Sequence, residues 1–431
     1  MRPYGIWFGS LRTTAIDRNR MPSARPTLTI ADACSVISEA GFGVRPPGIG
    51  LELEWFVTRD GMPVTDPGHV RAAIEAGGPL PGASRITFEP GGQLEISAPP
   101  STGGPGALEC AERDAGAVMG RLADAGMRCV AVGLDAGEPR SRVVHEPRYP
   151  AMEEYFDSRG SAGAVMMCAT ASMQINIGFG DDIDAQWELA HDLAPILAAV
   201  FAHSPLVAGR PSGWQSARLA IWAALDPART RPVAAKADAR NDWTRYALDA
   251  PVMLIRDEHR CVVPDAALTL RGWIDDGHPE GHPTVDDVRY HLTTLFPPIR
   301  PRGWLELRML DALPHPWWQV GAAITITALT DPVLGAQLEP IVRGCRELGL
   351  TAAWWGVHDP ALGATACQVL DATLAALESA GYDDALVATA HDFARRYTHR
   401  GRSLADDRLD EFVASGALAP DPEPLPASSR R

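Results

Sequence analysis

A recurring i, i+2 polar pattern marks the residues of this chain that could do chemistry. Glu52 and Glu54 stand two apart within Gly50-Leu51-Glu52-Leu53-Glu54. In a β-strand successive side chains point to opposite faces, so the two acids share one face while Leu51, Leu53 and Trp55 share the other. The pattern returns in Glu89-Pro90-Gly91-Gly92-Gln93-Leu94-Glu95-Ile96-Ser97, where Gln93, Glu95 and Ser97 fall on one face. It returns again with Gln174 and Asn176 in Ser172–Ile177, and with Glu306 and Arg308 in Trp304–Arg308. Pairing of these strands in one antiparallel sheet would bring the carboxylates onto a common surface. Two like charges about 5 Å apart repel by roughly 3 kcal/mol at an effective dielectric near 20. Several such pairs would cancel much of a domain's net stability of about 5–15 kcal/mol. Hard divalent cations such as Mg2+, which take oxygen ligands, would offset that repulsion. The plainer alternative is that each pair faces water on a separate edge.

The elements that must position these residues can be traced along the chain. A helix is expected from Thr27 to Ala40, then a Gly/Pro stretch, then the first acidic strand. A short helix at Pro67–Ala76 precedes the hairpin Arg85–Pro90 and Gln93–Ala98, whose Pro-Gly-Gly tip allows the positive φ of a tight turn. Ala107–Ala125 reads as an amphipathic helix followed by a strand at Cys129–Gly133. Tyr149–Ala169 reads as one Met-rich helix, Ala171–Gly178 as a strand, and Ile183–Ala202 as a long helix. Ser204–Trp222 combines a loop with a helix carrying Arg218 and Trp222. Residues 256–283, rich in Asp, Gly, His and Pro, are expected to be a surface excursion. From about Pro316 the alternation gives way to Ala/Leu-rich helical periodicity. These readings predict an α+β fold with one catalytic domain over 27–416, sheet-containing to about 315 and a helical layer from 316. Residues 1–26 are expected to be a flexible arm and 417–431 a disordered tail.

Composition narrows the function. The chain has 431 residues, 46% hydrophobic and 22% charged, enough for a sizeable core, and a net charge of −15 that argues against nucleic acid or an anionic membrane as partner. A phosphate ligand stays compatible with that charge, because bound cations reverse the local field. Seven scattered cysteines without a C-x-x-C pair suit a reducing cytoplasm better than a disulfide framework or a zinc site. Neither a leader nor a membrane span is expected.

The ordered set of segments resembles the glutamate–cysteine ligases, specifically the type 2, plant-type-like group, and within it the branch that opens ergothioneine biosynthesis. The segments are Glu52-Leu53-Glu54, Ile86–Ser97, Ser172–Asn176, His291–Pro297 and Trp304–Arg308, with family-like stretches at Arg148–Met152, His203–Leu206 and Arg245–Met253. The resemblance runs from about residue 45 to 330. It implies a glutamine synthetase-like fold: a curled antiparallel sheet with the active site on its concave face and helices outside. It implies ATP and two or more Mg2+ as cofactors, L-glutamate and L-cysteine as substrates, and a γ-glutamyl phosphate intermediate. Glu52, Glu54, Glu89, Glu95 and Glu306 would then hold metal, with Gln174 joining them. Glu306 and Arg308 would be catalytic, Arg308 meeting the transferred phosphoryl group as a planar fork.

Other positions are candidates on weaker grounds. Asn176, His291 and Thr294 could orient nucleotide oxygens, although His291 is equally suited to a structural role. Arg218, beside Trp214 and Trp222, could take glutamate's α-carboxylate or form an ordinary ion pair. Tyr246 with Arg245 could meet cysteine or simply pack on a helix. A ligase using a different amine, and a catalytically silent relative, are the competing readings. A metal-dependent hydrolase fits less well, since such sites favour His ligands and the acidic strands contain none.

Overall fold

The computed structural model describes residues 28–43, 48–137, 140–236, 238–256, 261–265 and 267–415. The expected arm at 1–26 and tail at 417–431 lie outside the described residues.

The acidic segments do pair. The strands are β1 (Ile49–Arg59), β2 (Met62–Pro63), β3 (Arg85–Phe88), β4 (Leu94–Ser97), β5 (Arg128–Val130), β6 (Ser172–Ile177), β7 (Leu206–Val207), β8 (Arg210–Pro211), β9 (Ile255–Arg256), β10 (Cys261–Val262), β11 (Ile299–Pro301) and β12 (Leu305–Asp311). The central antiparallel sheet runs β11-β12-β6-β1-β4-β3, and β2 and β5 pair with the outer half of β1. Register sets Glu54 opposite Glu95, Glu52 between Ser97 and Gln174, and Asn176 opposite Glu306. The polar positions of four sequence-distant strands therefore line up across one face.

The opposite face is apolar, and this is what fixes the register. Leu51, Leu53 and Trp55 of β1, Ile96 of β4, Met173 and Ile175 of β6, and Leu305 and Leu307 of β12 are all buried. Full burial of side chains of this size contributes about 1.5–3 kcal/mol each, so a one-residue slip would exchange that core for carboxylates. Three helices pack on this side: α3 (Gly104–Asp124), α6 (Ile183–Val200) and Trp317–Thr330. Local signals start and stop these elements. Asp182 caps α6 by accepting from Ala185 N at 2.9 Å, and Gly126, at φ +72°, follows the end of α3. The β3–β4 tip closes through Gly92 N donating to Glu89 O at 2.8 Å, with Gly92 at φ +86°.

A second hydrophobic cluster lies apart from this core. Tyr155, Phe156, Met152, Met166, Met167 and Met253 form it, with Trp222 and Phe296 packed against it. It belongs to the helices on the polar side: α4 (Arg148–Asp157), α5 (Ala162–Ala169) and α7 (Ala217–Leu225). The single helix expected over 149–169 is thus two helices, parted near Gly160, whose φ of +132° does not continue a helix. The expected surface excursion at 256–283 also needs correction. It contains the helix Leu270–Asp276, whose Leu270, Trp273 and Ile274 are buried in the main core. By length and composition the helix Pro360–Leu377 could cross a membrane, yet its Leu362, Val369, Leu370 and Leu374 are buried in the core.

Candidate active site

A cavity of about 900 Å³ lies between the polar face of the sheet and helices α4, α5 and α7. Glu52, Glu54, Glu89, Glu95, Gln174, Glu306, Arg308, Arg218 and Trp222 all line it. The acidic strands therefore do converge on one space, at a volume typical of small-molecule clefts.

The carboxylates are held under electrostatic stress. Burial, then Glu95 and Glu306, push Glu52 up to about 7, and burial, then Glu95 and Glu54, push Glu89 up to about 8. Glu54 and Glu95 are raised as well, in both cases chiefly by burial. Each oxygen contact has a clear source. Glu54 accepts from Ser172 N at 2.7 Å, Ser172 Oγ at 2.9 Å and Gln174 Nε2 at 3.0 Å. Glu95 accepts from Thr87 Oγ1 at 2.6 Å and Ser97 Oγ at 2.9 Å, and Glu52 from Asn176 Nδ2 at 2.9 Å. No protein donor reaches the Glu89 carboxylate among the described residues. Such an all-oxygen, under-neutralised donor set fits Mg2+, which keeps several waters and uses few protein carboxylates together with phosphate oxygens. It is not a finished cage: among the described residues no three His, Cys, Asp or Glu side chains form a preassembled metal-binding group.

Glu306, expected with the others as a metal ligand, differs from the other four acids in being neutralised by the protein itself. Burial would raise it, but Arg300, Arg308 and Arg302 overcome burial and hold it well below the usual carboxylate range. Arg300 Nε donates to Oε2 at 2.5 Å and Arg302 Nη1 to Oε1 at 2.9 Å. Arg308 Nη1 donates to Gln174 Oε1 at 2.5 Å and to Glu306 Oε2 at 3.4 Å. With both oxygens already bridged by guanidinium groups, Glu306 anchors an arginine cluster. Arg300 and Arg302 were not anticipated, yet the alternation Arg300-Pro301-Arg302 beside Glu306 carries their signal, since the hairpin pairs Arg300 with Glu306.

The other candidates divide. Arg218 is buried at the cavity wall, where Nη2 donates to Arg308 O at 2.7 Å and Nη1 to Asp311 Oδ1 at 3.4 Å. Trp222 lies beneath Arg308, whose guanidinium sits 5.7 Å from its ring. Asn176 bridges Glu52 and Trp304, accepting from Trp304 Nε1 at 2.8 Å. Asn176 reaches the cavity only through Glu52, and five further residues are not brought to it. His291 is buried and neutral, lowered to about 3 mainly by burial, with Nε2 2.9 Å from Ala247 O. Thr294 is buried and donates to His291 O at 2.7 Å. Tyr246 stacks on Trp243 and donates to Arg231 O at 3.2 Å, while Arg245 is exposed. Trp214 packs against Trp354, the two rings tilted by 39°. Apart from the exposed Arg245, these side chains serve packing or hydrogen bonds within the fold, which a single sequence does not distinguish from ligand contact. Met152, Met166, Met167, Tyr149 and Arg148 do line the cavity.

Known proteins share this sequence and shape. The family described as "Glutamate-cysteine ligase family 2(GCS2)" matches residues 48–346. The glutamate–cysteine ligase EgtA of Mycolicibacterium smegmatis is 37% identical over 388 residues, covering 86% of this chain and 88% of that protein. EgtA of Mycobacterium tuberculosis is 36% identical over 406 residues, 90% of each chain. The chloroplastic glutamate–cysteine ligase of Medicago truncatula is 30% identical over 292 residues, 63% of this chain and 54% of that one. A solved glutamate–cysteine ligase of Francisella tularensis, in complex with AMP, shares the fold at a TM-score of 0.53 and 12% identity, covering 86% of this chain and 85% of that chain. By its matched length and its relatives, the chain belongs to the glutamate–cysteine ligase family 2.

Proposed function

We propose that this chain is an ATP-dependent ligase joining the γ-carboxylate of L-glutamate to the amine of L-cysteine, in the branch that opens ergothioneine biosynthesis. The observation that carries the reading is the gathering of Glu52, Glu54, Glu89 and Glu95 with Arg308 and Arg218 around one cavity, in a member of this family. A glutamate γ-carboxylate oxygen would bond to the γ-phosphorus of ATP as the bridging P–O bond breaks and ADP leaves. The amine of the acceptor would then attack the acyl carbon, the acyl C–O bond would break, and phosphate and a proton would depart.

In this reading, Glu52, Glu54, Glu89 and Glu95, with Gln174 beside them, would hold Mg2+, which would supply Lewis-acid and template chemistry at the phosphate oxygens. The chain's own groups do the rest. Arg308, oriented by Gln174 and Glu306, presents a rigid fork to the transferred phosphoryl group, where positioning and charge stabilisation dominate catalysis. Arg300 and Arg302 keep Glu306 ionised, so that it in turn holds Arg308 forward. Arg218 takes the α-carboxylate of glutamate. We read the sheet as curled around this cavity in the glutamine synthetase manner, residues 27–416 as one catalytic unit, and the cytoplasm as its compartment, in keeping with seven scattered cysteines that form no C-x-x-C pair.

The test is ADP release with glutamate and a panel of amines. Release selective for cysteine supports the reading. Release with another amine and not cysteine moves the chain to a sister ligase, which the absence of Arg245 and Tyr246 from the cavity keeps open. No glutamate-dependent release with any amine overturns the reading.

A further inference from the structure

The family-like stretch at His203–Leu206 has no place in the chemistry above, and the strand carrying Glu306 and Arg308 changes phase before it ends. Both observations meet at Asp311. Strict alternation along β12 would put Asp311 with Leu305 and Leu307 on the apolar back. The register shifts between Leu307 and Leu310: Leu307 pairs with Ile175 but Leu310 with Met173, so Arg308 and Met309 together oppose Gln174 alone. That extra residue is a β-bulge, a device that re-aims side chains beside functional sites. It returns Leu310 to the core and sets Asp311 opposite Ser172, whose backbone and side chain hold Glu54.

Asp311 is 2% exposed, and its donors come from two other segments of the chain, His203–Ser204 and Ser216–Arg218. His203 N reaches Oδ2 at 2.8 Å and Ser204 Oγ reaches Oδ2 at 2.7 Å. Ser216 Oγ reaches Oδ1 at 3.0 Å, and Arg218 Nη1 the same oxygen at 3.4 Å. Arg218 is further tied to the carbonyl oxygens of Arg308, at 2.7 Å, and Met309, at 3.4 Å, both within the bulge. No room is left for Asp311 to move: a Cβ on Gly133 would fall 2.4 Å from its carboxyl carbon.

We infer that Asp311 is a positioning residue, which with Ser204, Ser216 and the bulge at Arg308–Met309 locks the Arg218 guanidinium at a set distance from Arg308, so that the cation for the α-carboxylate and the cation for the phosphoryl group are registered as one unit. This inference rests on the proposed role of Arg218. Arg218 makes three hydrogen bonds to Asp311 and the bulge, and its side chain lines the cavity. Without the Asp311 charge, a fully buried guanidinium loses its nearest counter-ion and its orientation.

The experiment is steady-state kinetics of Asp311→Asn and Ser204→Ala, with glutamate and ATP varied separately. Asp311→Asn keeps the shape but removes the charge and replaces one accepting oxygen with an N–H among donors. We expect its KM for glutamate to rise 10-fold or more with the KM for ATP within twofold, and Ser204→Ala, which keeps the charge, to raise the glutamate KM 2- to 5-fold. A merely structural role predicts lower kcat from less folded enzyme with both KM values unchanged, and that result overturns the inference, as does a parallel rise in both. Should Asp311→Asn not fold, the glutamate KM of Ser204→Ala decides alone: within 1.5-fold of wild type overturns it. A wild-type enzyme without glutamate-dependent ADP release would instead overturn the proposed function.

Discussion

Five carboxylates share one cavity, and two opposite electrostatic fates separate them. Glu52, Glu89 and Glu95 are raised by burial and by neighbouring carboxylates and Glu54 by burial, whereas Glu306 is lowered by three guanidinium groups. Mutations to glutamine should therefore differ in kind. Glu89→Gln removes a charge without a protein donor, so the metal-free protein should be unchanged or more stable by about 1 kcal/mol, while ADP release falls at least 100-fold. Glu306→Gln leaves Arg300, Arg302 and Arg308 crowded without a counter-charge. It should cost about 3–5 kcal/mol of stability besides abolishing turnover. Denaturant melts run beside ADP-release assays separate the two, and a Glu306→Gln protein as stable as wild type would refute the anchor role. Arg308→Lys keeps the charge but loses the fork that meets Gln174 and Glu306 together; kcat should fall about 100-fold or more. Near-normal kcat would remove Arg308 from the chemistry.

At the scale of elements, the tip joining β3 to β4 decides where Glu89 stands. Gly91 packs so tightly on the end of α5 that an added Cβ would lie 2.3 Å from Cys168 O, a backbone atom with little freedom to yield. Gly91→Ala should push the tip, and Glu89 with it, away from the cavity. We expect a loss of about 1–3 kcal/mol in a urea melt and a raised Mg2+ requirement in the activity assay. An alanine variant with unchanged stability and Mg2+ dependence would show that the tip does not set the position of Glu89. The bulge in β12 acts in the same way at the other edge of the cavity, spending one residue to turn Asp311 toward the site.

For the molecule as a whole, stability should depend on pH in a way that metal reverses. Glu52 and Glu89 have raised values near 7 and 8 in the fold against an ordinary 4.5, so the folded state holds extra protons from about pH 4.5 to 8. Their contribution is fully present below 4.5 and is lost as pH rises through 7 and 8. Burial lowers His191 and His203 to about 4 and His291 to about 3 from an ordinary 6.5, so their contribution is present above 6.5 and is lost as pH falls toward 3–4. Between 4.5 and 6.5 the two sets oppose each other. Above 6.5 the buried histidines no longer oppose the carboxylates, and the metal-free protein should lose on the order of 2 kcal/mol by pH 8. Mg2+ with a non-hydrolysable ATP analogue would keep the acids ionised, so the alkaline loss should vanish while the acid loss below 6.5 steepens. Thermal melts from pH 5 to 9, with and without ligand, test this; superimposable profiles would refute metal binding at these acids.

The amino-acid sequence alone determined which face of each strand is polar, because a period of two is intrinsic to an extended chain. Glu52 with Glu54, Glu95 with Ser97, and Gln174 with Asn176 emerged on one side and their leucines and isoleucines on the other, as the alternation required. It also carried the helical C-terminal third and the Gly-rich tip. What it could not carry was anything decided by neighbours distant in the chain. Tyr246, His291 and Thr294 look the same in sequence whether they meet a ligand or a packing partner. Glu306 looks like its fellow acids until Arg300 and Arg302 fold back onto it. The bulge that reverses the parity of Asp311 arises from how β12 pairs with β6, so only the tertiary structure reveals it: local geometry is written in single strands, but charge compensation and register exist only between them.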